Sequence, residues 1–110
     1  MNTLRNKVQL IGNLGNDPEI INLESGKILA KFSIATNETY KNAKGERITD
    51  TQWHNVVAWG KTANLVQQYL TKGKEVAIEG KLTNRSFETK EGEKRYITEV
   101  VCNELLMMGK

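Results

Sequence analysis

Four aromatic residues in this sequence stand in hydrophilic company, and their placement says which chemistry to look for. The chain has seven aromatic residues in all. Tyr40 opens the polar loop Tyr40-Lys41-Asn42-Ala43-Lys44-Gly45-Glu46-Arg47, and Phe87 sits in Thr83-Asn84-Arg85-Ser86-Phe87-Glu88. Trp53 and Trp59 fall at even spacing with Asn55, so an extended backbone puts all three on one face. A ring with little core to join presents a flat π surface. Nucleobases stack on such a surface for roughly 1–3 kcal/mol each, whatever the base. Four platforms would supply on the order of 4–12 kcal/mol before ordering costs.

Cations accompany the rings. Lys41, Lys44 and Arg47 share one loop, Lys61 follows Trp59, Arg85 precedes Phe87, and Lys90, Lys94 and Arg95 lie in the last hairpin. Held against backbone phosphates, such cations release counterions and give an affinity that falls as salt rises. A structural reading stands beside this one. A tryptophan on a strand is by default a core residue, and a lysine-rich hairpin is by default a solvated edge that discourages aggregation. The joint pattern of rings and cations favours binding. Phe32 and Tyr69 are expected in the core, Cys102 is read as a small buried strand residue, and Tyr96 is left open.

The inventory for covalent or metal chemistry is short. One histidine and one cysteine assemble no nucleophile with its base, no disulfide and no cysteine cage. Asp17 and Asp50 stand apart from the other carboxylates, and Gly12-Asn13-Leu14-Gly15 lacks the P-loop lysine. No catalysis, cofactor or metal is expected.

The elements that must position these residues alternate with period two. Ile28, Ala30, Phe32 and Ile34 share one face of a strand over Ile28–Thr36, with Lys31 and Ser33 on the other. Val8, Leu10 and Ile11-Gly12-Asn13 make an earlier strand, and Trp53–Trp59 a third. Val76 to Leu82 starts a fourth, and Tyr96–Leu106, rich in β-branched residues, makes a fifth. Gly12 and Gly80 inside strand patterns mark bends or bulges. Leu65, Val66, Tyr69 and Leu70 form a helical stripe over Lys61–Lys72, closed by Gly73. Five strands with one short helix between strands 3 and 4 is the order of an all-β, five-stranded Greek-key OB-fold barrel.

Bulk numbers agree with one domain over residues 1–110. Charged residues make up 26% and apolar ones 38%, with a net charge of +3, a mild basic bias compatible with a nucleic-acid partner. No run approaches the roughly 18 apolar residues of a membrane span, and Met1-Asn2-Thr3-Leu4-Arg5 has no signal-peptide core. A reducing cytoplasm is expected.

Several segments, in order over nearly the whole chain, resemble the bacterial single-stranded DNA-binding protein family. They are Asn6-Lys7-Val8-Gln9-Leu10-Ile11-Gly12-Asn13-Leu14-Gly15-Asn16-Asp17-Pro18-Glu19, Thr51-Gln52-Trp53-His54-Asn55-Val56-Val57-Ala58-Trp59-Gly60-Lys61, Tyr69-Leu70-Thr71-Lys72-Gly73, Ile78-Glu79-Gly80-Lys81-Leu82, and Arg95-Tyr96-Ile97-Thr98-Glu99-Val100-Val101. The resemblance implies sequence-independent binding and protection of single-stranded DNA in replication, recombination and repair, in the bacterial cytoplasm on the nucleoid. It places the family's stacking aromatics on Tyr40, Trp53, Trp59 and Phe87, where other members often have tryptophan at the first and last and phenylalanine at the third. It places basic contacts on Lys7, Lys61, Lys72 and Arg85. Asn55 and Ile21 stand where an arginine is common, which implies weaker phosphate contact there. The resemblance also implies a homotetramer that wraps the strand, with His54 at the subunit interface. The family usually continues into a disordered segment with an acidic tip that recruits replication and repair enzymes. The sequence stops at Leu106-Met107-Met108-Gly109-Lys110, so recruitment through a tip is not expected of it. A dimeric primosomal-type relative and a barrel serving protein contacts alone are the rivals, and the full aromatic quartet argues against the first.

Overall fold

The computed structural model describes residues 5–108. The elements are β1 Val8–Leu14, β2 Glu19–Asn22, β3 Ile28–Lys41, β4 Arg47–Trp59, α1 Gly60–Tyr69, β5 Glu75–Glu88 and β6 Lys94–Met107. The strands join in the order β1-β5-β6-β4-β3-β2, and β1 also pairs with β3. That second pairing closes β1, β5, β6, β4 and β3 into a five-stranded barrel. β2, which the alternation does not reveal, is a short strip along β3. Among the barrel strands, α1 falls between the third and the fourth, as expected.

The alternation sets the inner face. Ala30, Phe32 and Ile34 of β3, Val56 and Ala58 of β4, Val76 and Ile78 of β5, and Val100 and Cys102 of β6 are all buried. Each large apolar side chain so buried is worth about 1.5–3 kcal/mol. Ala63, Val66 and Leu70 join the same cluster, and α1 packs against β3, β4 and β6. The helix is shorter than Lys61–Lys72: it ends at Tyr69, Leu70 is already extended, and no basic residue lies in the last turn. Lys72 therefore does not serve the helix dipole. Tyr69 is not core but 49% exposed. At 100° per residue it sits about a quarter-turn off the line of Ala63 and Val66, which face the barrel. Cys102 is buried as expected, and desolvation pushes its thiol up to about 11.

Two glycines let the barrel close. Between Glu79 and Gly80 the β5–β6 register slips by one, a bulge that leaves Asn103 unmatched. A Cβ at Gly80 would run into the backbone carbonyl of Val101, and one at Gly12 into that of Ala35, where β1 meets β3.

Beyond Ile34 and Val56 no residue of β3 or β4 is buried, yet their pairing continues to Lys41↔Arg47. The β5–β6 pairing likewise runs out to Glu88↔Lys94. These ribbons project as arms. The radius of gyration is 16.2 Å, against about 13 Å for a compact domain of this length. Among the described residues no helix is long and apolar enough to cross a membrane.

Candidate functional site

Residues directly opposite in a sheet point the same way. On β4, Trp53, Asn55, Val57 and Trp59 face outward beside Ala35, Ser33, Lys31 and Leu29 of β3. Val57 adjoins Val101 of β6. Lys81, Thr83, Arg85 and Phe87 of β5 continue the surface beside Val101, Glu99, Ile97 and Arg95. The two tryptophans, Arg85 and Phe87 thus share one outer face, although β6 lies between β4 and β5 in the sheet order.

Each tryptophan has a defined support. The six-membered ring of Trp53 lies over Gly15, where any Cβ would collide with it. That segment is braced. The Gly15 N–H donates to the Ser33 carbonyl at 3.0 Å, and Asn16 Oδ1 accepts from the Ser33 hydroxyl at 2.8 Å and its N–H at 3.2 Å. The ring is covered on the Gly15 side and 63% exposed overall. Trp59 ends β4 with an extended backbone immediately before α1, and is 44% exposed. Six residues at about 3.3 Å each set the two rings' Cα atoms roughly 20 Å apart along the strand.

A cleft of about 320 Å³ opens beside Trp59, with Lys31, Val57, Arg85 and Glu99 among its walls. An adjoining cleft reaches Asn16, Ser33 and Asn55 and shares Arg85. Arg85 donates from Nε to Glu99 Oε1 at 3.0 Å and from Nη2 to Oε2 at 3.2 Å. This pairing raises the guanidinium pKa. Glu99 is only 7% exposed.

The arms divide the remaining residues between two faces. Going out from Trp53, the same face of the β3–β4 ribbon carries Asn37 with Thr51, whose hydroxyl donates to Asn37 Oδ1, then Thr39 with Thr49, then Lys41 opposite Arg47. Two like charges directly opposite are locally unfavourable, and an anion between them would relieve the repulsion. The turn beyond is ordered by Asn42, whose Oδ1 accepts from the N–H groups of Lys44 at 2.9 Å and Glu46 at 3.0 Å. Tyr40 belongs to β3, not to a loop as its polar neighbours suggest. It lies opposite Ile48, in the even series, and so projects from the reverse face. On the other arm Phe87 keeps the outer face, while Lys94 and Tyr96 take the reverse, with Lys94 Nζ 5.9 Å from the Tyr96 ring centroid. Tyr96 is exposed.

The other expected contacts scatter. Lys7 lies just before β1, its Nζ 3.3 Å from Glu79, with β5 and β6 between it and β4. Lys61 is exposed in the first turn of α1, and Lys72 follows the helix, its N–H donating to Asp17 Oδ1 at 2.8 Å. His54 is half-buried, its Nε2 3.0 Å from the Thr36 hydroxyl, on the face opposite the tryptophans. Ion pairs among the described residues are Lys7–Glu79, Arg85–Glu99 and Arg95–Glu93. Lys41, Lys44, Arg47, Lys61, Lys72 and Lys94 therefore carry uncompensated charge at close range. Sequence reasoning passed over Lys31, although its alternation with Phe32 already placed it outward beside Ser33. It also passed over Glu99, whose tie to Arg85 spans 14 residues.

The chain matches the model of the single-strand binding protein family over residues 5–108. It is 49% identical over 105 residues to a single-stranded DNA-binding protein 1 of Chlorobaculum tepidum, covering 94% of this chain and 65% of that one. It is 41% identical over 104 residues to a single-stranded DNA-binding protein of Neisseria meningitidis, covering 94% and 60%. The chain thus spans slightly under two thirds of the length of these relatives. A solved structure, a Plasmodium falciparum SSB complex with ssDNA, superposes with a TM-score of 0.86 at 34% identity, covering 99% of this chain and all of that one.

Proposed function

The chain belongs to the single-strand binding protein family, and we propose that it binds single-stranded DNA without turnover and without reading sequence. One observation carries this reading: Trp53 and Trp59, both large and both exposed, share an outer face with Arg85 and Phe87. The rings stack bases, while Lys41, Arg47, Lys44 and Lys61 hold phosphates around them. Tyr40 and Lys94 meet the strand on the reverse faces of the arms, so the strand wraps past the arm edges. Lys7 and Lys72 serve stretches that leave the tryptophan face. Relatives named as single-stranded DNA-binding proteins, and the superposing SSB complex with ssDNA, support this reading. Protection of single strands in replication, recombination and repair, on the nucleoid in the cytoplasm, is the role proposed. Saturating oligo(dT) at low salt is expected to quench most tryptophan emission, and a tenfold rise in salt to weaken binding strongly. Unchanged emission would instead favour a barrel devoted to protein contacts.

A homotetramer is part of the proposal. On the flank away from the tryptophans, Ile11 of β1 and Leu106 of β6 are 57% and 66% exposed beside Ala77. Burying such side chains between copies would remove apolar surface from water. His54 takes a place at a subunit contact. Sedimentation is expected to give four chains per particle, unchanged in number when a long oligo(dT) binds. A monomer at micromolar concentration would remove the assembly from the proposal and leave the stacking face intact.

A further inference from the structure

Glu99 is the one buried charged side chain among the described residues, and it belongs to the outer, binding side of the sheet. A carboxylate there is costly unless it is paired and hydrogen-bonded. Arg85 meets both its oxygens through a two-pronged contact, at 3.0 and 3.2 Å. The Arg85 side chain as a whole remains about half exposed, in the wall of the cleft that Trp59 also lines. One edge of the guanidinium plane is therefore held by a buried partner. Two of the five guanidinium N–H groups are spent on Glu99, so a phosphate could take only the remaining ones, and would do so against the charge of the carboxylate bound to the same group. It would also meet a pair whose own net charge is close to zero. A nucleobase meets neither obstacle, because a guanidinium plane stacks on flat rings without leaving its carboxylate.

On the reading that this face binds single-stranded DNA, we propose that Glu99 is a positioning residue. It converts Arg85 from a phosphate ligand into a planar wall, facing Trp59, of a slot for one base. Arg85 and Glu99 thereby act as one neutral stacking surface. The cationic phosphate contacts belong to other residues, among them Lys31 in the wall of the same cleft.

Salt dependence separates the two roles. Each phosphate contact on a single strand adds about 0.7 to the slope of log affinity against log salt. The variant Arg85→Gln/Glu99→Gln removes both charges and keeps two hydrogen-bonding side chains. It is expected to bind oligo(dT) roughly 5- to 150-fold more weakly at every salt concentration, with the wild-type slope. Glu99→Gln alone is expected to steepen the slope by about 0.7, because the freed guanidinium now reaches a phosphate. Urea unfolding of each variant verifies the fold, and the double variant leaves no buried charge unpaired. A slope reduced by about 0.7 in the double variant, or unchanged in Glu99→Gln, overturns the proposal while leaving DNA binding in place. If the wild-type protein fails to bind oligo(dT) at all, the reading beneath it falls as well.

Discussion

Gly80→Ala is expected to destabilise the domain by on the order of 3–5 kcal/mol, a large part of the 5–15 kcal/mol that holds a domain of this size together. The cause is backbone against backbone. The added Cβ would overlap the carbonyl group of Val101 and come within 3.1 Å of the Cys102 Cα. No rotamer change relieves that contact. The strands must part where the β5–β6 register slips, and parting them breaks ladder hydrogen bonds worth about 0.5–1.5 kcal/mol each. It also opens the wall behind Cys102, Val100 and Ile78, all of which are buried. Urea unfolding at fixed protein concentration measures the loss, and a fixed concentration keeps any assembly constant. A variant within about 1 kcal/mol of wild type would show that the bulge yields without breaking the ladder.

How much of this was legible in the sequence depended on whether a residue answers to the core. Inside the barrel one face of every strand must be apolar, and Ala30 to Ile34 alternate accordingly. Val56-Val57-Ala58 is apolar and buried on both faces, and takes its parity from Trp53, Asn55 and Trp59. In the arms neither face meets a core. Asn37-Glu38-Thr39 and Thr49-Asp50-Thr51 show no alternation, and the strands run further than the apolar pattern: β3 to Lys41 and β4 from Arg47. Tyr40 was read as a loop residue for that reason. β2 was hidden because Glu-Ile-Ile-Asn is too short for a period to show. Tyr69 misled because a stripe of four apolar residues implies a wide buried face, whereas a ten-residue helix across a small barrel buries a narrow one.

The site divides along the same line. Trp53 and Trp59 could be placed because their own strand fixes their parity. The Arg85–Glu99 pair and the Gly15 seat of Trp53 could not be placed, because each joins segments far apart in sequence through strand register. A glycine chosen for what lies on top of it looks, in a sequence, like any other turn glycine. Lys31 is the intermediate case. Its orientation was readable, but its neighbour Arg85 arrives only when β5 and β6 wrap around beside β4.

Replacing Trp53 and Trp59 together by alanine is expected to weaken binding to oligo(dT) by on the order of 2–6 kcal/mol, from about thirtyfold to more than ten-thousandfold. Each ring contributes roughly 1–3 kcal/mol as a platform. Their Cα atoms lie roughly 20 Å apart along β4, beyond the range at which neighbouring substitutions couple strongly, so the two losses should nearly add. The fold should tolerate the change, because both rings project from the outer face and neither belongs to the buried cluster. Trp53 gives up its seat over Gly15. The double variant lacks tryptophan altogether, so the measurement is the anisotropy of a labelled oligonucleotide, with the unfolding midpoint as a check on the barrel. The loss should be alike for oligo(dT) and oligo(dC), and the salt slope should hold, because stacking reads neither base edges nor phosphates. Trp59→Phe should recover most of its share, since a smaller ring still offers a π face. Affinity within a few-fold of wild type in the double variant would mean that bases do not rest on β4. A large loss confined to one base would mean that the outer face reads base edges through Asn55, Ser33 and Asn16 in the adjoining cleft, and that the tryptophans only shape it.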